Sequence, residues 1–218
     1  MAGYLSGCPS VRKYIDDGID PHAFTRDFIN NFDPELPQIT RQDAKSDTFK
    51  PLYGGASGSP RQKAYYAGFL KEHYGVAEWH EALKVEAVKT KSVRLPTGRE
   101  YRFPYARRSS SGYVSQTTQI VNYPVQGFAT GDVVPVGIIG VRRLFVAKQL
   151  KSKLILTVHD SIYVDVYPGE QAQVIQCLNE GMLGIDILFK EFYGIGMNYP
   201  IAIEIKSGND AYNMKEVT

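Results

Sequence analysis

The sequence predicts an α+β fold in which a mostly helical first part precedes a part that contains a β-hairpin. Two patterns support this prediction. Apolar residues recur at helical spacing in several segments before residue 92. Residues 153–166, KLILTVHDSIYVDV, then form two β-branched runs on either side of a polar tip, which is the pattern of a hairpin. No internal repeat indicates a different architecture.

The helical part is predicted to consist of separate helices joined by turns. Residues 11–33 have helical spacing that Asp17-Gly18 interrupts, which indicates two short helices. Residues 61–91 form a further helical region. Residues 93–103 then contain two short β-prone runs around a Pro-Thr-Gly turn, which predicts a small hairpin.

Another helix is predicted between these regions. Thr40 is followed three residues later by Asp43, which resembles a capping box with Asp in place of Glu or Gln. We therefore expect a helix that runs from Arg41. Pro51 cannot donate a helical hydrogen bond and disfavours helical dihedrals in the residue before it, so a kink or an end is expected there.

The second part begins near residue 115. Residues 122–150 are apolar and long enough for a helix, but repeated glycines and a proline predict an irregular or kinked one. The hairpin of residues 153–166 follows, with its polar tip at or near the turn. A helix over residues 169–193 and a short strand within 199–208 complete the predicted order.

Composition narrows the class of protein. The 218 residues are 43% hydrophobic and carry a formal net charge of +2, which gives only mild support for a polyanionic partner. The two cysteines lie far apart and form no CxxC pattern, so neither a disulfide framework nor a zinc site is indicated. Without a signal-like N-terminus or a long apolar stretch, we expect a cytoplasmic protein that has no membrane partner.

Arg41, Lys45, Phe49 and Tyr53 follow one another at intervals of four residues. On a continuous helix they would form one slowly turning stripe, about 18 Å long. Two cations near a helix N-terminus can hold phosphates, and two rings farther along can meet a sugar and a base, so the stripe suits a nucleoside triphosphate. Spacing alone favours another interpretation, a solvated cationic face beside an aromatic core stripe.

Two further pairs are candidates for contact with nucleic acid or metal. Asn122 and Gln126 share a helix face, and their amides can donate to minor-groove acceptors that every base pair presents. His159-Asp160 lies at a hairpin tip, where a carboxylate is a suitable Mg²⁺ ligand. For Asn122 and Gln126 the alternative is a helix start with satisfied amides. For His159-Asp160 it is an ordinary polar turn.

The segment from residue 84 to residue 108 is basic. Aromatic residues are interleaved with its cations, a mixture that phosphate-backbone contact would use. We expect DNA contacts from its arginines, while a solvated surface hairpin remains an equal alternative. The arginines chosen as candidates are Arg94, Arg102 and Arg107.

In this order, the segments resemble DNA polymerases of family A, the DNA polymerase I type. TRQDAKSDTFKPLYGG resembles the second motif of that family, on the fingers helix, and TVHDSI resembles its third motif. NYPVQG is similar to the palm helix, Asp20-Pro21-His22 to the Asp-x-His before the fingers helix, and IEIKSGNDAY to the closing strand. The resemblance implies a mostly helical fingers subdomain followed by the C-terminal half of a palm with a β-hairpin. Its expected boundaries are 1–10 for the end of the first palm segment, 11–114 for the fingers and 115–218 for the C-terminal palm segment.

The resemblance also implies roles for the residues that match the fingers motifs. His22, Arg41 and Lys45 would bind the triphosphate of the incoming dNTP, and Lys45 would also protonate the leaving pyrophosphate. Phe49 would lie against the sugar and base, at the position that governs discrimination against dideoxy nucleotides. Tyr53 would stack at the templating position.

In the palm, Asn122 and Gln126 would contact template and primer in the minor groove, and His159 would contact the primer end. Asp160 would ligate two catalytic Mg²⁺ ions during in-line attack of the primer 3′ hydroxyl on the α-phosphate.

Two departures from the family pattern bear on activity. Ser161 stands where a Glu usually follows the motif Asp. The family's first motif, which carries the other metal-binding Asp, is absent, and the chain begins at a segment that normally follows it. We therefore expect a split polymerase, of a kind natural in bacteriophages, whose second chain supplies exonuclease, thumb and first motif. The alternative is a catalytically inactive nucleic-acid-binding or regulatory remnant.

Overall fold

The computed structural model describes residues 1–217 and confirms the α+β class. The chain folds into two compact units. The N-terminal unit comprises Met1–Phe128, and the C-terminal unit begins at Ala129. This structural division does not test the predicted boundary between fingers and palm at residues 114 and 115, which stays a prediction. None of the helices among residues 1–217 has the length and apolarity that a membrane span requires.

The N-terminal unit is built from seven helices and one small hairpin among the described residues. Asp20 caps α3, because its carboxylate accepts hydrogen bonds from the backbone N–H groups of His22 and Ala23. Ser59 and Gln62 form a capping box at α5. The elements are α1 (Ala2–Ser6), α2 (Pro9–Asp16), α3 (Pro21–Phe32), α4 (Ala44–Leu52), α5 (Pro60–Glu72), α6 (Tyr74–Thr90), β1 (Ser92–Arg94), β2 (Glu100–Arg102) and α7 (Thr117–Phe128).

The helix predicted from Arg41 is α4, and its predicted start is wrong by one turn. The capping-box hydrogen bonds do form, from Thr40 N to Asp43 Oδ2 (2.9 Å) and from Asp43 N to Thr40 Oγ1 (3.2 Å). They close a turn over residues 41–43, so the regular helix begins at Ala44. The expected end near Pro51 is confirmed, because α4 stops at Leu52.

Two hydrophobic clusters hold the N-terminal unit together. One joins α3 to α5 through Ile29, Tyr65 and Tyr66, which are at most 2% exposed. The other joins α6, the β1–β2 hairpin and α7. Its buried members include Leu83, Ala87, Val93, Phe103 and Ile120. The first cluster fixes the orientation of the helices that border α4, and the second fixes the hairpin that carries the basic segment.

The C-terminal unit contains the predicted hairpin and most of the predicted irregular helix, whose first residues belong to α7. The single helix predicted over residues 169–193 is wrong, because the helix is divided in two at Gly184. A π turn, Ala129–Val133, precedes α8, and β3 pairs antiparallel with β4. The predicted closing strand within 199–208 is shorter than expected: only Lys206–Ser207 is strand, because only these residues pair with Lys215–Glu216. The elements are α8 (Val134–Ala147), β3 (Lys153–Val158), β4 (Ser161–Asp165), α9 (Gln171–Leu183), α10 (Ile185–Tyr193), β5 (Lys206–Ser207) and β6 (Lys215–Glu216).

Helices α8 and α9 approach each other closely at glycines. A Cβ atom at Gly140 would lie 2.9 Å from the carbonyl oxygen of Gly181, and one at Gly181 would lie 2.6 Å from the backbone nitrogen of Val141. The absence of side chains at both positions therefore permits the crossing. Around it, Phe145, Val174 and Cys177 form the buried core of this unit.

The β3–β4 hairpin presents two different faces. Leu154, Ile162 and Val164 pack against the core of the C-terminal unit. Ile155 and Leu156, at an irregularity in the strand register, are 62% and 55% exposed. One face of the hairpin is thus anchored, and apolar surface remains uncovered within residues 1–217.

Both cysteines lie in the interior. Cys8, just before α2, is 1% exposed, and Cys177, on α9, is fully buried. Cys177 behaves as a small apolar side chain, whereas Cys8 Sγ lies 3.3 Å from the hydroxyl oxygen of Ser10.

Candidate nucleotide and nucleic-acid site

Arg41 is held by Asp20 in the turn before α4. Its Nε donates to Asp20 Oδ2 over 2.6 Å, and both side chains are about half exposed. The other oxygen of Asp20 accepts from the backbone N–H of His22 over 2.9 Å. The Arg41 guanidinium lowers the pKa of Asp20 to about 2, so this carboxylate is ionised at neutral pH. One acidic side chain therefore ties Arg41 to the start of the helix that carries His22.

Three aromatic rings form a row beside this ion pair. The rings of His22 and Phe49 meet edge to face with centroids 5.3 Å apart, and Phe49 stacks on Tyr53 at 6.1 Å. Phe49 is 43% exposed, although it belongs to a packed helix. An exposed ring of this kind can contact a sugar or a base.

Lys45 completes this group of predicted triphosphate ligands. It lies exposed in the first turn of α4 and forms no ion pair with residues 1–217. Burial is the main cause that lowers the pKa of His22, and the charges of Arg41 and Lys45 lower it further. The structure thus brings His22, Arg41, Lys45, Phe49 and Tyr53 together, with Arg41 on a turn rather than on the predicted helical stripe.

The buried side of α4 carries polar residues that the sequence interpretation missed. Asp47, which is 5% exposed, accepts hydrogen bonds from Tyr66 Oη (2.5 Å) and Gln62 Nε2 (2.9 Å). Thr48, which is 3% exposed, lies 3.0 Å from His22 Nδ1. Asp47 follows Lys45 by two residues, which places it on the opposite face of the helix, a signal that the sequence did contain. The burial of Thr48, three residues after Lys45, does not follow from this spacing.

Asn122 and Gln126 both lie on α7, as the prediction requires. The Oδ1 atom of Asn122 is buried and has no hydrogen-bond partner among residues 1–217. Gln126 is exposed. The next residue, Gly127, faces Tyr101 of β2 so closely that a Cβ atom would lie 1.5 Å from the Tyr101 hydroxyl oxygen. Glycine is therefore required beside Gln126 for this packing.

The basic segment is partly neutralised at its hairpin. Arg94 donates to Glu100 over 3.0 Å and Arg102 lies 3.5 Å from the same carboxylate, so the pKa of Glu100 is lowered, mainly by Arg94. The two arginine side chains are still 68% and 85% exposed. Arg107 is also exposed, at the end of the segment. These three arginines are therefore accessible to phosphates, although Glu100 competes with a phosphate for Arg94 and Arg102.

In the C-terminal unit, His159 and Asp160 form the turn between β3 and β4, and Val158 pairs with Ser161 on either side of it. His159 has a left-handed φ of 53°, which a tight two-residue connection requires. Asp160 is exposed and forms no ion pair with residues 1–217. Its carboxylate is open to a cation such as Mg²⁺, which takes few protein ligands and keeps water for the others.

Within residues 1–217, no group of three or more His, Cys, Asp or Glu side chains could hold a metal ion. Asp160 therefore fits Mg²⁺ as a single ligand and not as a complete site. The predicted residues that bind the triphosphate lie in the N-terminal unit, and the predicted metal ligand lies in the C-terminal unit.

Comparison with known proteins gives one consistent family. The sequence profile of DNA polymerase family A matches residues 1–213. The chain is 26% identical to DNA polymerase I of Mycobacterium bovis over 93% of its own length and 24% of that protein's. It is 29% identical to DNA polymerase I of Lactococcus lactis subsp. lactis over 82% of its length and 21% of that protein's. The chain thus spans less than a quarter of the relatives it matches.

The fold comparison agrees. The POL domain of Pol1 from M. smegmatis, in complex with DNA primer-template and dNTP, superposes with a TM-score of 0.70 at 21% identity. The match covers 84% of this chain and 34% of that one. The two share a fold over most of the shorter chain.

Proposed function

The chain belongs to DNA polymerase family A, and on that premise we propose that it supplies the fingers and the C-terminal part of the palm to a DNA-directed DNA polymerase. The observation that carries this proposal is the group of two cations and three rings around α4. Such a group offers charge to a triphosphate and flat surfaces to a base within one small region. The enzyme would add dNTPs to a primer 3′ end in the cytoplasm.

Each side chain of the group has a task that its geometry supports. Asp20 binds the Nε atom of Arg41, so the terminal Nη atoms of the guanidinium can bind phosphate oxygens. Lys45 binds the same phosphates and donates a proton to the departing pyrophosphate. Phe49 supports the sugar and base, and Tyr53 stacks at the templating position.

The remaining candidates act on the nucleic acid. Asn122 and Gln126 donate hydrogen bonds to minor-groove acceptors, which tests the shape of a base pair without reading its sequence. Arg94, Arg102 and Arg107 contact backbone phosphates outside the groove. His159 contacts the primer end.

Asp160 is the residue of this chain that would hold Mg²⁺. When bound, the metal supplies electrostatic stabilisation of the attacking and leaving oxygens. Asp160 sits on a short turn between paired strands, so its carboxylate is held with little freedom. Ser161 provides no second carboxylate beside it.

A second polypeptide segment has to complete the site, and we assign it to a separate chain that carries the thumb, the exonuclease domain and the other metal-binding Asp. One observation supports this heterodimer. The β3–β4 hairpin exposes Ile155 and Leu156, an apolar surface that an added strand or helix would cover.

Two observations favour a different function. Ser161 replaces the usual carboxylate, and residues 1–217 contain no complete metal site. A nucleic-acid-binding or regulatory subunit without chemistry would have both properties.

Reconstitution distinguishes the two functions. The chain is combined with the candidate second polypeptide, a labelled primer-template, dNTPs and Mg²⁺, and primer extension is measured. Catalysis predicts extension that K45A reduces strongly. K63A, which removes an exposed lysine of α5, is the matched control and is expected to extend normally. A complex that binds primer-template and dNTP but extends no primer would establish the regulatory function instead.

A further inference from the structure

A chain of buried hydroxyl groups runs from α5 to His22. Tyr65 Oη lies 2.8 Å from Thr25 Oγ1, Thr25 Oγ1 lies 2.8 Å from Thr48 Oγ1, and Thr48 Oγ1 lies 3.0 Å from His22 Nδ1. Tyr65, Thr25 and Thr48 are each at most 3% exposed. Buried hydroxyl groups need partners, so the protons of this chain have a restricted arrangement.

Two backbone carbonyl groups determine where the hydroxyl protons lie. Thr25 Oγ1 lies 2.7 Å from the carbonyl oxygen of Pro21, and Thr48 Oγ1 lies 2.9 Å from that of Ala44. Carbonyl oxygens bring no proton, so each of these two contacts needs the single proton of its threonine, which Thr48 could otherwise give to Thr25 or to His22 Nδ1. If Thr48 gave its proton to His22, its close contact with Ala44 would have no proton. If the His22 ring instead carries hydrogen on Nδ1, it donates that proton to Thr48, and Thr48 can donate its own proton to Ala44. This arrangement leaves the fewest of the close contacts without a proton.

We infer that Thr48 is a positioning residue, which accepts a hydrogen bond from Nδ1–H of His22 and thereby directs Nε2 of the same ring toward the nucleotide triphosphate. This inference rests on the proposed function of the site. Tyr65 and Thr25 fix the Thr48 hydroxyl from behind, and the edge-to-face contact with Phe49 restricts ring rotation from the other side. Among residues 1–217, Nε2 of His22 has no hydrogen-bond partner.

The inferred tautomer has a consequence for phosphate binding. Neutral His22 with hydrogen on Nδ1 presents a lone pair at Nε2, which repels a phosphate oxygen, so the ring has to gain a proton when the triphosphate binds. The groups that face it are Asp20, Arg41 and Lys45 and, through the hydroxyl chain, Tyr65. Burial and then the charge of Arg41 lower the pKa of His22 in the free protein, Asp20 raises it, and Lys45 lowers it. A bound polyphosphate acts in the same direction as Asp20. The contribution of His22 to nucleotide binding is present at low pH and is lost as the pH rises through the pKa of the complex.

Nitrogen NMR on the full chain measures the tautomer without any enzymatic activity. The protein is labelled with ¹⁵N-histidine, and the signals of its four histidines are recorded at neutral pH. H22Q identifies the His22 signals by their loss. We expect protonated Nδ1 and unprotonated Nε2 in the wild type, and a shift toward the opposite tautomer in T48V. The opposite tautomer in the wild type, or no change in T48V, overturns the inference.

Two further variants separate positioning from general damage. T48S keeps the hydroxyl and should retain the wild-type tautomer. T90V is the matched control, because Thr90 of α6 also donates to the carbonyl four residues earlier but lies on the surface. It should leave the His22 signals unchanged. A T90V spectrum that resembles that of T48V would mean that the effect is not specific, and would overturn the inference.

Kinetics of the reconstituted complex test the link to the nucleotide. T48V is expected to raise KM for dNTP about fivefold with little change in kcat, the size of effect that one neutral hydrogen bond supports. In the wild type KM should rise as the pH increases, whereas in H22Q it should stay level. An altered tautomer with an unchanged KM overturns the inference and leaves the polymerase assignment standing, because that assignment depends on primer extension. Failure of the wild-type complex to extend a primer refutes the polymerase assignment alone, since the NMR measurement requires no extension.

Discussion

Arg41 and Asp20 form an ion pair in which the two carboxylate oxygens of Asp20 bind different partners. Oδ2 binds Arg41 Nε over 2.6 Å, while Oδ1 accepts the backbone N–H groups of His22 and Ala23. The cation that precedes α4 and the first turn of α3 therefore share one anchor. Disturbing this anchor should affect nucleotide binding and folding together.

D20N keeps an oxygen that can cap α3 but removes the charge that orients Arg41. We expect it to weaken dNTP binding about three- to tenfold, because Arg41 loses its fixed orientation toward the phosphates. Titration calorimetry with a non-hydrolysable dNTP measures this effect. D16N is the control, since Asp16 pairs with Arg12 elsewhere on the surface. Equal affinity of D20N and the wild type would show that the ion pair does not orient Arg41 for the nucleotide.

The same pair makes stability depend on pH in a defined direction. The folded pKa of Asp20 is about 2, below its ordinary value near 3.8, so its stabilising contribution is complete above pH 4 to 5. The contribution is lost as the pH falls toward 2. Urea midpoints of wild type and D20N should therefore differ at pH 6 and converge only as the pH falls toward 2. A difference that grows as the pH falls would contradict the ion pair.

Asp160 is expected to be required for chemistry and not for folding. D160N should reduce primer extension by the reconstituted complex about a thousandfold, because the carboxylate that we propose as a Mg²⁺ ligand is lost. Its thermal unfolding should match the wild type, since Asp160 is exposed on a turn. D165N, at the other end of β4, should retain extension within about threefold. If D165N stopped extension and D160N did not, the metal ligand would be Asp165.

His80 should make the N-terminal unit sensitive to mild acid. Its ring is 5% exposed and donates from Nε2 to the carbonyl oxygen of Leu52 over 3.2 Å, and burial lowers its pKa to about 4. Below pH 6.5 the unfolded chain gains a proton that the folded chain cannot take, so stability falls with pH. We expect a loss of about 2 kcal/mol between pH 7 and pH 5. The free energy of unfolding, measured with urea at several pH values, should depend less on pH in H80Q than in the wild type. H159Q should behave like the wild type.

The crossing of α8 and α9 should not tolerate a side chain at Gly181. G181A places a methyl group 2.6 Å from a backbone nitrogen, which a rotamer change cannot relieve. We expect a destabilisation of about 1–3 kcal/mol despite the better helix propensity of alanine. G196A is the control, because its new Cβ would meet only one atom, at 3.6 Å. Chemical denaturation of both variants compares them directly, and equal stability would mean that the helices can separate at no cost.

Much of the local structure could be predicted because local signals decide it. Asp17-Gly18 separates α2 from α3, and His159-Asp160 forms the turn between two β-branched runs, as the sequence predicts. The break at His73 between α5 and α6 was not predicted, because His73 is buried against Ser10 and Tyr14 of α2, which are distant in sequence. The late start of α4 has a similar origin. Its capping hydrogen bonds were predicted, but the position of Arg41 depends on Asp20, which lies 21 residues away.

The candidate site was predictable where the side chains are exposed and follow a motif. Arg41, Lys45, Phe49 and Tyr53 have a recognisable spacing, whereas Asp47 and Thr48 lie between them and look like ordinary polar residues. Their importance depends on Tyr66 and His22, which reach them only in the folded chain. Sequence reasoning therefore identified the exposed face that carries the candidate residues and missed the buried face that supports it.

The burial of both cysteines makes site-specific labelling practical. Cys8 and Cys177 are shielded from solvent, so a thiol-reactive dye should attach slowly to the unmodified chain. S46C would place an accessible thiol beside Lys45, on the exposed side of α4. A fluorophore there would report the arrival of a nucleotide in real time without removal of either natural cysteine.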